Sequence, residues 1–199
     1  MENRIINKIE RTEQTKEMFA VVKELRKKCA MQQKKGLHFI LTSVIIWSII
    51  FVVQLLPLSM MLKNMLTFCA SVPLCPMAYA ISKHIKVDFQ GKSNPLTGLG
   101  ILFTVNQMIY LLIAIWVFSA VPGKLVMVYA MIFGAHLLPY GWLYLSKSYY
   151  VFAGVIPVLT LLLGLQYPAM VVAGVMVLVE VVFCICLVAE VKKLERQKQ

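Results

Sequence analysis

From residue 37 onward the chain is a series of long apolar runs separated by short polar breaks, with its charges gathered in those breaks and at the two ends. The runs cover residues 37–57, 59–82, 96–119, 124–145, 148–165 and 168–191. Each approaches the roughly 20 residues that a helix, rising ~1.5 Å per residue, needs to cross a ~30 Å hydrocarbon layer. The pattern predicts an all-α polytopic membrane protein with six transmembrane helices. The fifth run is short and carries Pro157, and Lys63 stands near the start of the second, so five crossings with a re-entrant segment is the alternative. Residues 1–35 follow another rhythm. Met18, Phe19, Val22, Leu25 and Cys29 recur every three or four positions among Glu, Lys and Arg, after a short apolar cluster at Ile5, Ile6 and Ile9. That spacing predicts an N-terminal amphipathic helical arm lying on the membrane or on a partner. The expected organisation is therefore an arm at 1–35, a bundle at 36–192 and a tail at 193–199.

Charge orients these elements. Hydrophobic residues make up 60% of the chain and charged ones only 15%, yet the formal net charge is +11. Lys34 and Lys35, then Lys83, Lys86 and Lys92, then Lys147, then Lys192, Lys193, Arg196 and Lys198 fall at alternate breaks, whereas the other breaks hold only Lys63 and Lys124. Lys and Arg collect in cytoplasmic loops, so both termini are expected in the cytoplasm, which requires an even number of crossings and favours six. The basic residues sit at helix ends rather than in a stripe interleaved with aromatics. They therefore point to anionic lipid at the cytoplasmic face, and not to nucleic acid. Trp116 and Tyr167 mark the outer boundary, and Trp142, Tyr144, Tyr149 and Tyr150 the inner one. Residues 1–35 lack the apolar core of a cleavable signal, so the first span is expected to be the anchor. Pro73, Pro76, Pro139 and Pro157 each remove a backbone donor within a run, and kinks are expected there.

Against this apolar background a few polar residues stand out. Glu180 is a lone carboxylate in the middle of the last run, where insertion costs at least about 2.5 kcal/mol, so it must face protein or trapped water. Counting from the inner helix ends, Asn106 and Gln107 in the third run, His136 in the fourth and Glu180 in the sixth share one depth. Tyr110 lies four residues from Asn106 and Tyr140 four from His136, each on the same helix face as its neighbour. The expected site is a pocket lined by Glu180, His136, Asn106, Gln107, Tyr110 and Tyr140, with one titrating acid and one titrating base, which suits a proton or a small cation. The competing reading is that these groups hydrogen-bond one another and hold the helices together, each bond contributing about 0.6 kcal/mol.

Enzyme signatures are not found. There is no HExxH, no nucleophile elbow and no phosphate-binding loop, and the longest internal loop, Lys83 to Asn94, holds one acid, Asp88. The five cysteines include no CxxC, and four lie within helical runs, so packing rather than metal or disulfide chemistry is expected. No cofactor is expected.

Two stretches carry a resemblance. They are Asn94-Pro-Leu with residues 99–110, and residues 126–144 with 146–150, the latter running through Ala135-His136-Leu-Leu-Pro139-Tyr140. They resemble an uncharacterised family of small six-helix membrane proteins from Gram-positive bacteria, over roughly residues 36–192. The resemblance implies a bacterial plasma membrane and brings no activity with it. The functional expectation is a small proton- or cation-coupled transporter or ligand-binding membrane module, in association with a second copy or a partner membrane protein. The alternative is an accessory, sensor or immunity protein acting through its cytoplasmic arm.

Overall fold

The computed structural model of the chain describes residues 2–89 and 94–196, residues 2–10 by backbone alone. The side chains of the cluster Ile5, Ile6 and Ile9, the loop residues Lys92 and Ser93, and Lys198 in the tail fall outside that description. Among the described residues there is no strand, and eight α-helices follow one another: α1 (Glu2–Gln32), α2 (Leu37–Leu55), α3 (Met60–Ser71), α4 (Leu74–His84), α5 (Leu96–Ala120), α6 (Leu125–Leu143), α7 (Lys147–Gln166) and α8 (Ala169–Arg196). Short 3-10 turns at Lys34–Gly36 and Pro122–Lys124 lead into α2 and α6. Among the described residues five helices are long and apolar enough to cross a membrane. The second predicted run is instead the pair α3 and α4, bent by 41° at their junction. Pro73 supplies the reason, since it has no N–H to continue the ladder and its ring crowds the turn before it. Pro139 and Pro157, by contrast, lie inside the continuous helices α6 and α7.

The chain turns sharply between α1 and α2. Lys34, Lys35 and Gly36 all take positive φ, and a side chain at Gly36 would meet the Tyr149 hydroxyl at 2.9 Å and the Tyr144 ring at 3.0 Å. Only glycine satisfies both the backbone and the space. The turn lays the end of α1 across the adjacent ends of α5, α6 and α8. There Cys29 and Ala30 are buried, the Arg26 guanidinium sits 4.2 Å over the Trp142 ring, and its Nε donates to the Trp142 carbonyl at 2.8 Å. Asn94 donates to the Leu25 carbonyl at 2.9 Å, and Gln33 to that of Asp88 at 2.6 Å. Residues 11–21, further out, are exposed on every side. The arm is thus a helix, as its spacing predicts, but among the described residues nothing covers its apolar positions there.

Within the bundle α2 is central, packing on α8, α4 and α3, while α6 and α7 form the closest pair. Trp47, Ile50, Leu137, Ile156, Met176 and Phe183 fill the core. α5 packs on α6 and meets α1 and the Pro122–Lys124 turn at its two ends. At the end of the bundle away from the arm, the two stray lysines of the sequence close helix ends. Lys63 donates to the Gln54 carbonyl at 2.9 Å, Lys124 to the Gly164 carbonyl at 2.6 Å, and Asn64 to the Pro122 carbonyl at 2.8 Å. A cation on the last carbonyls of a helix satisfies orphan acceptors and meets the negative end of the macrodipole.

Candidate functional site

A cleft runs into the bundle from the arm side. Its outer chamber, about 510 Å³, lies among Gln33, Phe39, Phe89, Thr97 and Tyr140. An inner chamber of about 80 Å³ reaches Trp47, Leu111 and Tyr129 near mid-depth. Phe39, Thr104, Tyr140 and Tyr144 border both and form the wall that the two share. The walls are mainly aromatic: Trp47 meets Tyr129 and Phe133 edge-on, and Tyr140, Tyr144 and Tyr149 pack as a triad with centroids 5.8 to 6.1 Å apart. Rigid rings with polar tips make a wall that holds its shape while offering hydrogen bonds.

Three predicted site residues line the inner chamber. Gln107 faces it from α5, and His136 and Tyr140 from α6. The Tyr140 hydroxyl donates to the Gly100 carbonyl at 3.0 Å and shares a 2.8 Å bond with Thr104, which fixes α6 to α5 at the junction of the chambers. His136 uses Nδ1 on the Phe133 carbonyl. A carbonyl only accepts, so that nitrogen carries the proton, and in the neutral ring Nε2 remains as an acceptor.

Glu180 is fully buried on α8, and it is not in the chamber wall. Ser43, on α2, stands between. Its side chain lines the chamber, and its hydroxyl bonds Glu180 Oε2 as well as the Ile40 carbonyl, the latter at 2.8 Å. The other carboxyl oxygen, Oε1, is buried without a partner. No hydrogen bond or ion pair joins Glu180 to His136 among the described residues: Glu180 bonds Ser43 and His136 bonds the Phe133 carbonyl, so the expected pair is not formed. Asn106 and Tyr110 share a face of α5, as their spacing requires, but that face is exposed and points away from the chamber. The single six-residue pocket is therefore not formed: three residues line the cavity, Glu180 lies behind Ser43, and two are outside.

Two features were missed in the sequence. His38 is fully buried between the rings of Phe39 and Phe89, at centroid distances of 4.4 and 5.4 Å, and neither ring nitrogen has a partner. Its signal was a histidine two residues inside the first apolar run. Glu190, one acid further along α8, gathers four donors: Lys35 Nζ and Ser146 Oγ at 2.7 Å on one oxygen, and Ser148 N and Oγ at 2.9 and 2.7 Å on the other. It thereby binds the α1–α2 turn to the start of α7. Elsewhere, burial pushes the Cys29 thiol up to about 11, well away from a reactive thiolate. No group of three His, Cys, Asp or Glu that could hold a metal is present among the described residues.

A family model described as "Family of unknown function (DUF7010)" matches residues 22–190. The chain belongs to that family. The match takes in the docked end of the arm, the cleft, Ser43, Glu180 and Glu190, and leaves the first two-thirds of α1 outside. No curated protein and no solved structure matches the chain.

Proposed function

We propose that this membrane protein takes a small ligand or cation into the arm-side cleft and couples its occupancy to a proton on Glu180, as a small transporter or ligand-binding module. Ser43 is the observation that carries the reading. A hydroxyl has one hydrogen but Ser43 sits between two acceptors, the Glu180 carboxyl and the Ile40 carbonyl. Both bonds can be made together only when the carboxyl carries a proton, donates it to Ser43, and leaves Ser43 free to donate to Ile40. Ionised, Glu180 takes the Ser43 hydrogen for itself. Protonation thus reorients a hydroxyl in the chamber wall. The bonds of Lys63, Asn64 and Lys124 close the opposite end, so the cleft is open on one side, as one state of an alternating-access cycle would be.

Several features support the setting. Lys34 pairs with Glu195 at 3.5 Å and Lys35 with Glu190, which supports placing the start of α2 and the end of α8 on one side and an even number of crossings. Asn94, leading into α5, also bonds the arm, which supports α3 and α4 as one broken span and six crossings. The lysine distribution favours a cytoplasmic arm side, and the family resemblance a bacterial plasma membrane. Asn106 and Tyr110 on the outer face of α5 support association with a second copy or a partner membrane protein, because polar groups at that depth need one. The exposure of Met18, Phe19 and Val21 favours a second reading, an accessory protein acting through its arm.

Trp47 lines the chamber and reports on it. With Trp116 and Trp142 replaced by Phe, its emission in nanodiscs should change with pH, and that change should vanish in Glu180→Gln. A flat parent curve, or the same curve in the variant, overturns the coupling. A cellular phenotype lost on deleting residues 2–21 and kept in Glu180→Gln moves the reading to the arm.

A further inference from the structure

Beside the cleft, on the same side of the bundle, lies a separate depression of about 370 Å³ over Tyr144. Lys27 reaches it from α1, Lys147 from the first turn of α7 and Lys193 from the end of α8, around the Lys35–Glu190 pair. The acids here are already engaged. Glu190 holds Lys35 and the two serines, and Glu195 holds Lys34. Among the described residues no carboxylate lies within ion-pair distance of Lys27, Lys147 or Lys193. The lining therefore carries four lysines, Lys27, Lys35, Lys147 and Lys193, against one carboxylate, Glu190, which leaves three positive charges in excess around one concavity. Their mutual repulsion is relieved when an anion enters.

We infer that this depression binds the phosphate of an anionic lipid. It lies where α7 and α8 emerge at the edge of the apolar region, at headgroup level, with an aromatic floor for the glycerol end of a lipid. Each lysine brings three rotatable donors to a point charge, which suits a tetrahedral phosphate better than a planar carboxylate. Basic pockets between helix ends are a recurrent form of lipid headgroup recognition. The site is independent of the cleft and of Glu180. It also gives the arm a role, because Lys27 is in place only when the end of α1 is docked.

The test uses the delipidated full-length protein in neutral detergent, with short-chain phosphatidylglycerol, short-chain phosphatidylcholine and inorganic phosphate as separate probes. At about fivefold per lysine, K27Q/K147Q/K193Q should bind phosphatidylglycerol roughly a hundredfold more weakly. The charge-matched K16Q/K23Q/K192Q should change less than about twofold, and the corresponding triple Lys→Arg variant should retain binding, which separates lost charge from lost folding. Equal loss in both Gln triples overturns the site in favour of diffuse surface attraction. Equal affinity for phosphatidylcholine overturns phosphate recognition, and inorganic phosphate binding as tightly as phosphatidylglycerol overturns the lipid as its source.

Discussion

Ser43 decides what a buried carboxyl on α8 can do. In Ser43→Ala, Glu180 loses its only hydrogen-bond partner among the described residues and both its oxygens stand unpaired, at a cost of about 1–3 kcal/mol or more in thermal unfolding in detergent. Glu180→Gln should hold or raise stability, since burying an amide costs less than burying a carboxylate. Ser43→Ala with Glu180→Leu should recover most of the loss, because removing both partners leaves nothing unpaired. Full stability in Ser43→Ala alone would show that another group satisfies Glu180. Glu180, His136, Gln107 and Tyr140 were legible as polar residues in apolar runs, at depths that follow from the helical rise. Ser43 was not, because a serine in a membrane helix usually bonds its own backbone, as Ser48 bonds Val44 and Ser71 bonds Thr67. Asn106 marks the other limit. Depth along a helix is countable, but rotation about the axis needs a polar face to fix it, and α5 is apolar nearly all round.

At the scale of the elements, α6 and α7 owe their close approach to two glycines that face the partner helix. A Cβ at Gly134 would lie 2.6 Å from Ile156 and Pro157 side-chain atoms, and one at Gly164 2.4 Å from Met127. At Gly154, inside α7, it would meet nothing within 4 Å. Alanine is a better helix former than glycine by about 1 kcal/mol, so Gly154→Ala should be neutral or stabilising. Gly134→Ala meets a β-branched side chain and a proline ring that cannot swing aside, and overpacking of this kind costs about 1–3 kcal/mol. Melting of the two variants in the same detergent compares them directly. A Gly134→Ala protein as stable as Gly154→Ala would mean that the two helices pack less tightly than the structure shows. The runs that became α2, α5, α6, α7 and α8 were visible as apolar length alone. The pairing of α6 with α7 was not, since small residues matter only once the facing residue is known, and neither was the clasp of Glu190, whose four donors come from two stretches of chain far from it in sequence.

For the molecule as a whole, the two ends of the bundle differ in how they use cations. At the arm side the lysines face outward around the Lys35–Glu190 pair, whereas at the other end Lys63 and Lys124 are turned onto helix carbonyls and add little field to the surface. That asymmetry is the physical content of the positive-inside rule, which concerns lysines free to stay in the cytoplasm. It sets a test of sidedness. In a cysteine-free background, a membrane-impermeant maleimide should label Gln166→Cys on intact cells, because Gln166 ends α7 on the far side and is exposed. Lys16→Cys and Lys192→Cys are equally exposed but belong to the arm side, and should react only after the cells are opened. If Lys16→Cys reacts on intact cells and Gln166→Cys does not, the fold is inverted in the membrane, and the cleft opens outward. If Lys16→Cys and Lys192→Cys fall on opposite sides, the crossings are odd, the Lys34–Glu195 and Lys35–Glu190 pairs cannot form across the bilayer, and α3 with α4 must enter and leave by one face.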